Sequence, residues 1–185
     1  MGIALADAAA QYGADVELVL GPVDALPENK SVKVINVTSA ESMTNECKGR
    51  FSQCNIAILA AAVADFTPEK VAGEKIKRGD NELIIKLMPT PDIAAELGKT
   101  KRADQLLVGF ALETDNELEN AISKLKRKNL DIIVLNSLKE KGAGFGFDTN
   151  RITIIDRNNN IGKFELKSKK EAARDIIDKI VSMMT

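Results

Sequence analysis

Lys124 and Lys128 lie four residues apart, so on a helix they share one face. Lys126 and Arg127 stand between them. Such a face can grip phosphates, although an ordinary solvated helix surface has the same pattern. A second basic group, Lys75, Lys77 and Arg78, falls in a long polar stretch, 64–82, interrupted by Pro68, Gly73 and Gly79. Cations on a segment that closes over a triphosphate neutralise charge on a leaving pyrophosphate. A solvated basic loop is the plainer explanation of that spacing. Asp65 follows an apolar run, 55–62, that ends in Ala60, Ala61 and Ala62. Those alanines let a ligand approach the backbone, and Asp65 can orient a hydroxyl, hold Mg2+ or simply cap a loop. Pro89-Thr90-Pro91-Asp92-Ile93 opens a helix whose first N–H groups suit an anion or a polar edge. A plain helix start, with Asp92 complementing the dipole, fits equally.

The absences narrow the chemistry. The sequence has no histidine, which removes Ser-His-Asp and Cys-His catalysis and every His-based zinc site. Carboxylates, lysines, amides and backbone groups remain, and they favour nucleotidyl or phosphoryl transfer, where positioning and charge neutralisation dominate. Cys47 and Cys54 are the only cysteines. On one helix they would stand about two turns apart, too far for a disulfide, as expected of reduced thiols in a cytoplasmic protein. The net charge of −1 supplies no field toward nucleic acid or an anionic membrane. No apolar run approaches the roughly 18 residues of a membrane span. Residues 1–10 lack the basic start of a signal peptide.

The elements that must position these groups alternate. A small-residue helix through Leu5, Ala6, Ala9 and Tyr12 stops at Gly13. Strands follow at 16–20 and 32–37. Thr38 or Ser39 caps a helix running to about 53, with Glu41 in its first turn. The run 55–62 reads as a central parallel strand, buried on both faces. A strand at 83–88 leads to a short helix opened by Pro91. Next come a buried strand at 106–112, a helix at 115–128 capped by Thr114 with Leu118, Ala121, Ile122 and Leu125 as its apolar stripe, and a strand at 131–135. Asn158-Asn159-Asn160 turns a hairpin between 151–156 and 163–166. A last helix buries Ala172, Ala173, Ile176, Ile177, Ile180 and Val181. The expected fold is a three-layer α/β, Rossmann-like domain over 1–185, mostly parallel with an antiparallel portion. The stretch 66–82 is its lid, and ligands are expected at the carboxyl ends of the strands. Gly142-Ala143-Gly144-Phe145-Gly146-Phe147-Asp148 is not a dinucleotide fingerprint, and Val19-Leu20-Gly21-Pro22 lacks a ribose-binding acid. Both weigh against an NAD-dependent oxidoreductase.

In order, Ala60-Ala61-Ala62-Val63-Ala64-Asp65-Phe66, Glu74-Lys75-Ile76-Lys77, Pro91-Asp92-Ile93, Val108-Gly109-Phe110-Ala111-Leu112-Glu113-Thr114, Lys124 with Lys128-Asn129, the segment 131–136, Gly144-Phe145 and Asp148-Thr149-Asn150 resemble bacterial phosphopantothenate–cysteine ligase. The resemblance covers nearly the whole chain, and the ordered set is specific where each motif alone is modest. It implies a ligase of coenzyme A biosynthesis that forms an acyl-nucleotide from 4′-phosphopantothenate, releases pyrophosphate, and transfers the acyl group to cysteine. It further implies CTP as co-substrate, Mg2+, and a homodimer. Carried over residue by residue, Leu59, Ala60, Ala61 and Asp65 line the nucleotide site. Ala61, Ala62 and Asp65 face the substrate, and Pro91, Asp92, Ile93, Ala94 and Phe110 hold the base. Lys75, Lys124 and Lys128 meet the triphosphate, with Lys75 and Asp65 the residues expected to be catalytic. The resemblance assigns no residue as a metal ligand.

The family carries a further strand and an Asn-containing loop before the position of Met1-Gly2, and many members carry a flavin-dependent decarboxylase domain upstream. The expectation is therefore an N-terminally truncated ligase domain, weak or inactive alone. A non-catalytic nucleotide-binding or dimerisation module is the alternative, and a Rossmann-type oxidoreductase is a more distant one.

Overall fold

The structure is a computed structural model, and it describes residues 1–78, 82–113, 115–137 (137 by its backbone only) and 147–184. The expectations that involve Gly79, Thr114 and 142–146 lie outside the described residues. In chain order the elements are α1 (Gly2–Gln11), β1 (Glu17–Leu20), β2 (Lys33–Asn36), α2 (Ala40–Phe51), β3 (Ile56–Leu59), β4 (Phe66–Pro68), β5 (Leu87–Pro89), α3 (Ile93–Thr100), β6 (Leu106–Glu113), α4 (Glu117–Arg127), β7 (Ile132–Ser137), β8 (Thr149–Asn150), β9 (Ile152–Asp156), β10 (Ile161–Lys163), β11 (Lys167–Ser168) and α5 (Lys169–Ser182).

Side-chain alternation along the strands builds the three layers. Val108, Ile132, Val134, Ile152 and Ile154 face α1 and α5, where they pack with Leu5, Ala8, Ala172, Ala173, Ile176 and Ile180. Their neighbours Leu107, Ala111, Ile133, Leu135 and Ile155 face the opposite way, onto Phe51 of α2, Ile93 and Leu97 of α3, and Ala121 and Leu125 of α4. A period of two along each strand thus feeds two separate cores, one per face. The five-stranded sheet runs β10-β9-β7-β6-β3. Its β3, β6 and β7 are parallel, β9 pairs antiparallel with β7, and β10 pairs antiparallel with β9. The fold class is the expected one.

Local chemistry sets most boundaries. Gly13 ends α1 at φ 86°, a conformation that glycine adopts without steric cost. The Ser39 and Ser42 side chains cap each other's backbone at the start of α2, and Ser168 with Glu171 does the same for α5. Several expectations are corrected. Pro91 is not the first helical residue; Asp92 is the N-cap of α3, its carboxylate accepting the Ala95 N–H at 3.1 Å. The anticipated strand at 83–88 shortens to Leu87–Pro89, because its partner β4 offers only three residues of antiparallel pairing. α4 begins at Glu117 after Asn116, which takes φ 44°. Leu118 and Val181 face outward rather than into the core. Cys54 lies beyond the end of α2, so the two cysteines do not share a helix, and both are free.

The run 55–62 is also not central. Only Ile56–Leu59 form a strand, half-buried throughout, and β3 is the edge of the five-stranded sheet. β1 and β2 form a separate two-stranded parallel sheet. Among the described residues, β1 and β3 each keep one edge without a strand partner. α1 touches β1 and brings Gly2 close to Ala60. Among the described helices, none is long and apolar enough to cross a membrane.

Candidate functional site

Parallel strands release their following segments at one end, so the carboxyl edge of β3, β6 and β7 gathers what comes after each. Leu59 pairs in register with Gly109 of β6. Ala60 and Phe110 therefore stand one step further along neighbouring strands, both packed against the α1–α5 core. Leu59, Val63 and Ala94 pack on the opposite core. The chain leaving β3 does not wander. Ala64 O accepts from the Thr90 hydroxyl, and Asp65 O accepts the Thr90 N–H at 2.9 Å. This sets exposed Asp65 directly beside the entry to α3.

At that entry, the N–H groups of Ile93 and Ala94 precede the first helical carbonyl that could receive them. The α3 N-terminus is thus a polar edge with a partial positive charge. Lys128, the C-cap of α4, delivers its ammonium to the same place, with Nζ 2.8 and 3.1 Å from the two Asp92 carboxylate oxygens. Burial pushes the Asp92 carboxyl up. The Lys128 ammonium and the Ala95 N–H more than offset this and hold it below the usual carboxylate range. Lys124, one turn earlier on α4, is held in a close ion pair by Glu113, the last residue of β6. The Asn120 amide reaches the other Glu113 oxygen only weakly, at 3.5 Å, and bonds the Asp115 carbonyl at 2.9 Å. Beside Glu113, Asn136 of β7 accepts from the buried Asn150 amide at 3.0 Å.

The structure therefore brings together Asp65, Pro91, Asp92, Ile93, Ala94 and Lys128, with Lys124 on the same face of α4. Leu59 lies on their side of the sheet, whereas Ala60 and Phe110, the latter within β6, pack toward α1 and α5 on the opposite face, and Ala61 and Ala62 lead exposed from β3 toward Asp65. Lys75 is the exception. It is exposed on 69–78, and among the described residues it pairs with none of the other candidates. The sequence reading gave no role to Glu113 or Thr90. Neither carries a local signal, because Glu113 is separated from Lys124 by a turn and most of a helix.

The site can bind a polyanion beside a polar edge. Two ammonium groups stand about one helical turn apart, each already held by a carboxylate. Among the described residues no three Asp, Glu or Cys side chains converge to hold a metal ion. An exposed carboxylate such as Asp65 is the kind of ligand that joins a Mg2+ carried by phosphate oxygens.

The chain as a whole is similar to known proteins. Residues 1–184 match the family described as DNA/pantothenate metabolism flavoprotein C-terminal domain. The chain is 65% identical over 184 residues to a cysteine/cysteine sulfinic acid decarboxylase of an unknown prokaryotic organism, covering 100% of this chain and 51% of that protein. It is 41% identical over 183 residues to the coenzyme A biosynthesis bifunctional protein CoaBC of Bacillus subtilis (strain 168), covering 99% of this chain and 45% of that protein. The chain spans about half the length of these curated relatives. The crystal structure of the C-terminal domain of CoaBC superposes with a TM-score of 0.83 at 34% identity, over 99% of this chain and 81% of that one. A Cab2 mutant in complex with phosphopantothenate-cysteine gives a TM-score of 0.77 at 18% identity, over 99% and 76%, a likeness of fold alone. An unbroken match over nearly every residue, joined to a shared three-layer sheet, makes this protein a member of the DNA/pantothenate metabolism flavoprotein C-terminal domain family, the family of the C-terminal domain of CoaBC.

Proposed function

We propose that the protein is a phosphopantothenate–cysteine ligase domain that uses CTP and Mg2+ and works in the cytoplasm as a homodimer. The observation that carries this reading is the convergence of Lys128 and Asp92 on the α3 N-terminus, with Lys124 and Glu113 alongside and Asp65 tied to Thr90. Family membership supports coenzyme A chemistry, and CTP follows from the likeness to bacterial proteins. In the proposed reaction, a carboxylate oxygen of 4′-phosphopantothenate attacks the α-phosphorus of CTP, the bond to the bridging oxygen breaks, and pyrophosphate leaves. The cysteine amine then attacks the acyl carbon, the acyl–phosphate bond breaks, and CMP leaves as the amine loses a proton.

Lys124 and Lys128 bind the β- and γ-phosphates and stabilise charge on the leaving pyrophosphate. The segment 91–94, with Leu59, Ala60 and Phe110, holds the base. Ala61, Ala62 and Asp65 face the pantothenate and ribose side. Lys75 completes the phosphate contacts when the lid, 66–82, closes. Mg2+ neutralises phosphate charge when bound.

The half-exposed apolar side chains of Phe66, Ile85, Leu87 and Met88 on and beside the β4–β5 ribbon support a dimer contact there. Among the described residues β1 and β3 each keep an edge that could accept a further strand. The solved CoaBC domain extends beyond this match, consistent with such a segment. Pyrophosphate release with 4′-phosphopantothenate, Mg2+ and CTP or ATP, with and without cysteine, tests the reading. The chain is assayed beside a version that includes the preceding strand and loop. Release and adduct formation by the longer version alone support both the ligase and the missing strand. Nucleotide binding without turnover by either version points to a non-catalytic module instead.

A further inference from the structure

Gly98, in the last turn of α3, stands four residues beyond Ala94, the nearest candidate ligand contact, and it has no space for a side chain. A Cβ built there would lie 2.0 Å from the Lys128 carbonyl oxygen and 2.9 Å from its carbonyl carbon. The obstacle is backbone, which cannot rotate aside, so the contact must open by about 1 Å. The Lys128 main chain thus rests on the C-terminal end of α3. The corner is pinned by Asn129, whose side-chain amide donates to the Gly98 carbonyl at 2.8 Å while its backbone takes φ 52°.

The Lys128 ammonium, meanwhile, meets Asp92 at the other end of the same helix. Asp92 and Gly98 are six residues apart, so these two anchor points stand about 9 Å apart along α3. The Lys128 side chain bridges the two anchor points, so a backbone shift near 1 Å at Gly98 moves the base of the stem whose ammonium meets Asp92.

We infer that Gly98 is a positioning residue for the phosphate-binding lysine: its bare Cα, clamped by Asn129, sets the reach of Lys128 to the α3 N-terminus. This deepens the proposed function and rests on it for the identity of the anion, but the geometry between Gly98, Lys128 and Asp92 does not.

The test uses two readouts on the full chain with its upstream segment, for wild type, G98A, N129G, K128A and G98A/K128A. The first is affinity for CTP against CMP. G98A is expected to lose about tenfold for CTP and less than about twofold for CMP, and the double variant to bind no more weakly than K128A. N129G keeps the positive φ and removes only the clamp, so it is expected to show the same selectivity to a smaller degree. The second readout, needing no nucleotide, is an NMR titration of the Asp92 carboxyl. Its pKa is expected to rise in G98A and N129G toward the value in K128A.

An unchanged Asp92 titration in G98A or N129G, or additive losses in the double variant, overturns the inference. If G98A fails to fold, the N129G titration decides. If K128A leaves CTP affinity unchanged, the phosphate role of Lys128 fails, while the Asp92 titration still decides whether Gly98 sets its position.

Discussion

Asp92→Asn should strengthen nucleotide binding, although it alters a residue at the centre of the site. Asn caps a helix as well as Asp, so the bond to the Ala95 N–H and the start of α3 are retained. What disappears is a negative charge that occupies Lys128 at 2.8 Å. An incoming triphosphate must take that ammonium from Asp92 or sit beside an uncompensated carboxylate. Two unit charges about 4 Å apart interact by ~1 kcal/mol at the dielectric of water and by about 4 kcal/mol at an effective value of ~20. The Asp92 side chain is 49% exposed, so the lower figure applies. A relief of about 1 kcal/mol corresponds to roughly fivefold tighter CTP binding. CMP, with fewer charges, should change less than about twofold, and the CTP gain should shrink as salt rises. Isothermal titration of both nucleotides at two ionic strengths measures this. Weaker CTP binding by a variant of unchanged melting temperature refutes the reasoning, because it would make the Asp92 carboxylate a ligand instead of a competitor.

Two further outcomes concern stability. Burial pushes the Asp156 carboxyl up, but Lys179, the Asn160 side chain and the N–H groups of Asn158 and Asn160 outweigh it and bring its pKa down to about 2. A depressed folded-state value stabilises above the unfolded value of about 3.9 and is lost as pH falls through about 2. Melting temperature should thus drop between about pH 4 and pH 2 by the equivalent of ~2 kcal/mol, and D156N should flatten that part of the profile; an identical slope in the variant counts against the assignment. Lys101 and Asp131 form a buried ion pair at 2.7 Å, with side chains 5% and 1% exposed. K101M should cost about 3 kcal/mol in urea unfolding, because it leaves the buried Asp131 carboxylate with the Leu107 N–H at 2.7 Å and half-exposed Arg157 but without its buried counter-charge. K101M/D131N should recover part of the loss, and a double variant less stable than K101M would contradict this.

The three-layer core was legible because strand and helix periods are local properties. The apolar runs at 106–112 and 131–135 read as buried strands from composition, and a strand places alternate residues on opposite faces, but packing decided which helices cover each face. Gly13, Ser39 and the Asn158-Asn159-Asn160 turn likewise act on their own neighbours. The pattern of two lysines on α4 was equally readable. Their purpose was not, since a basic helix face looks the same whether it meets water or phosphate.

Tertiary structure decided the rest. Chain direction and register alone bring Glu113 to Lys124 and Asp92 to Lys128, across separations that no local rule spans. The apolar run 55–62 appeared central from composition, but a strand's place depends on which edges pair with it, and β1 does not reach β3. Gly98 makes the same point most sharply. In sequence it is an unremarked glycine late in a helix, and only the arrival of the Lys128 backbone, 2.0 Å from where its Cβ would stand, makes it necessary. Periodicity determines which face of an element is apolar. Which two faces meet, and which charges then become neighbours, is settled by long-range packing.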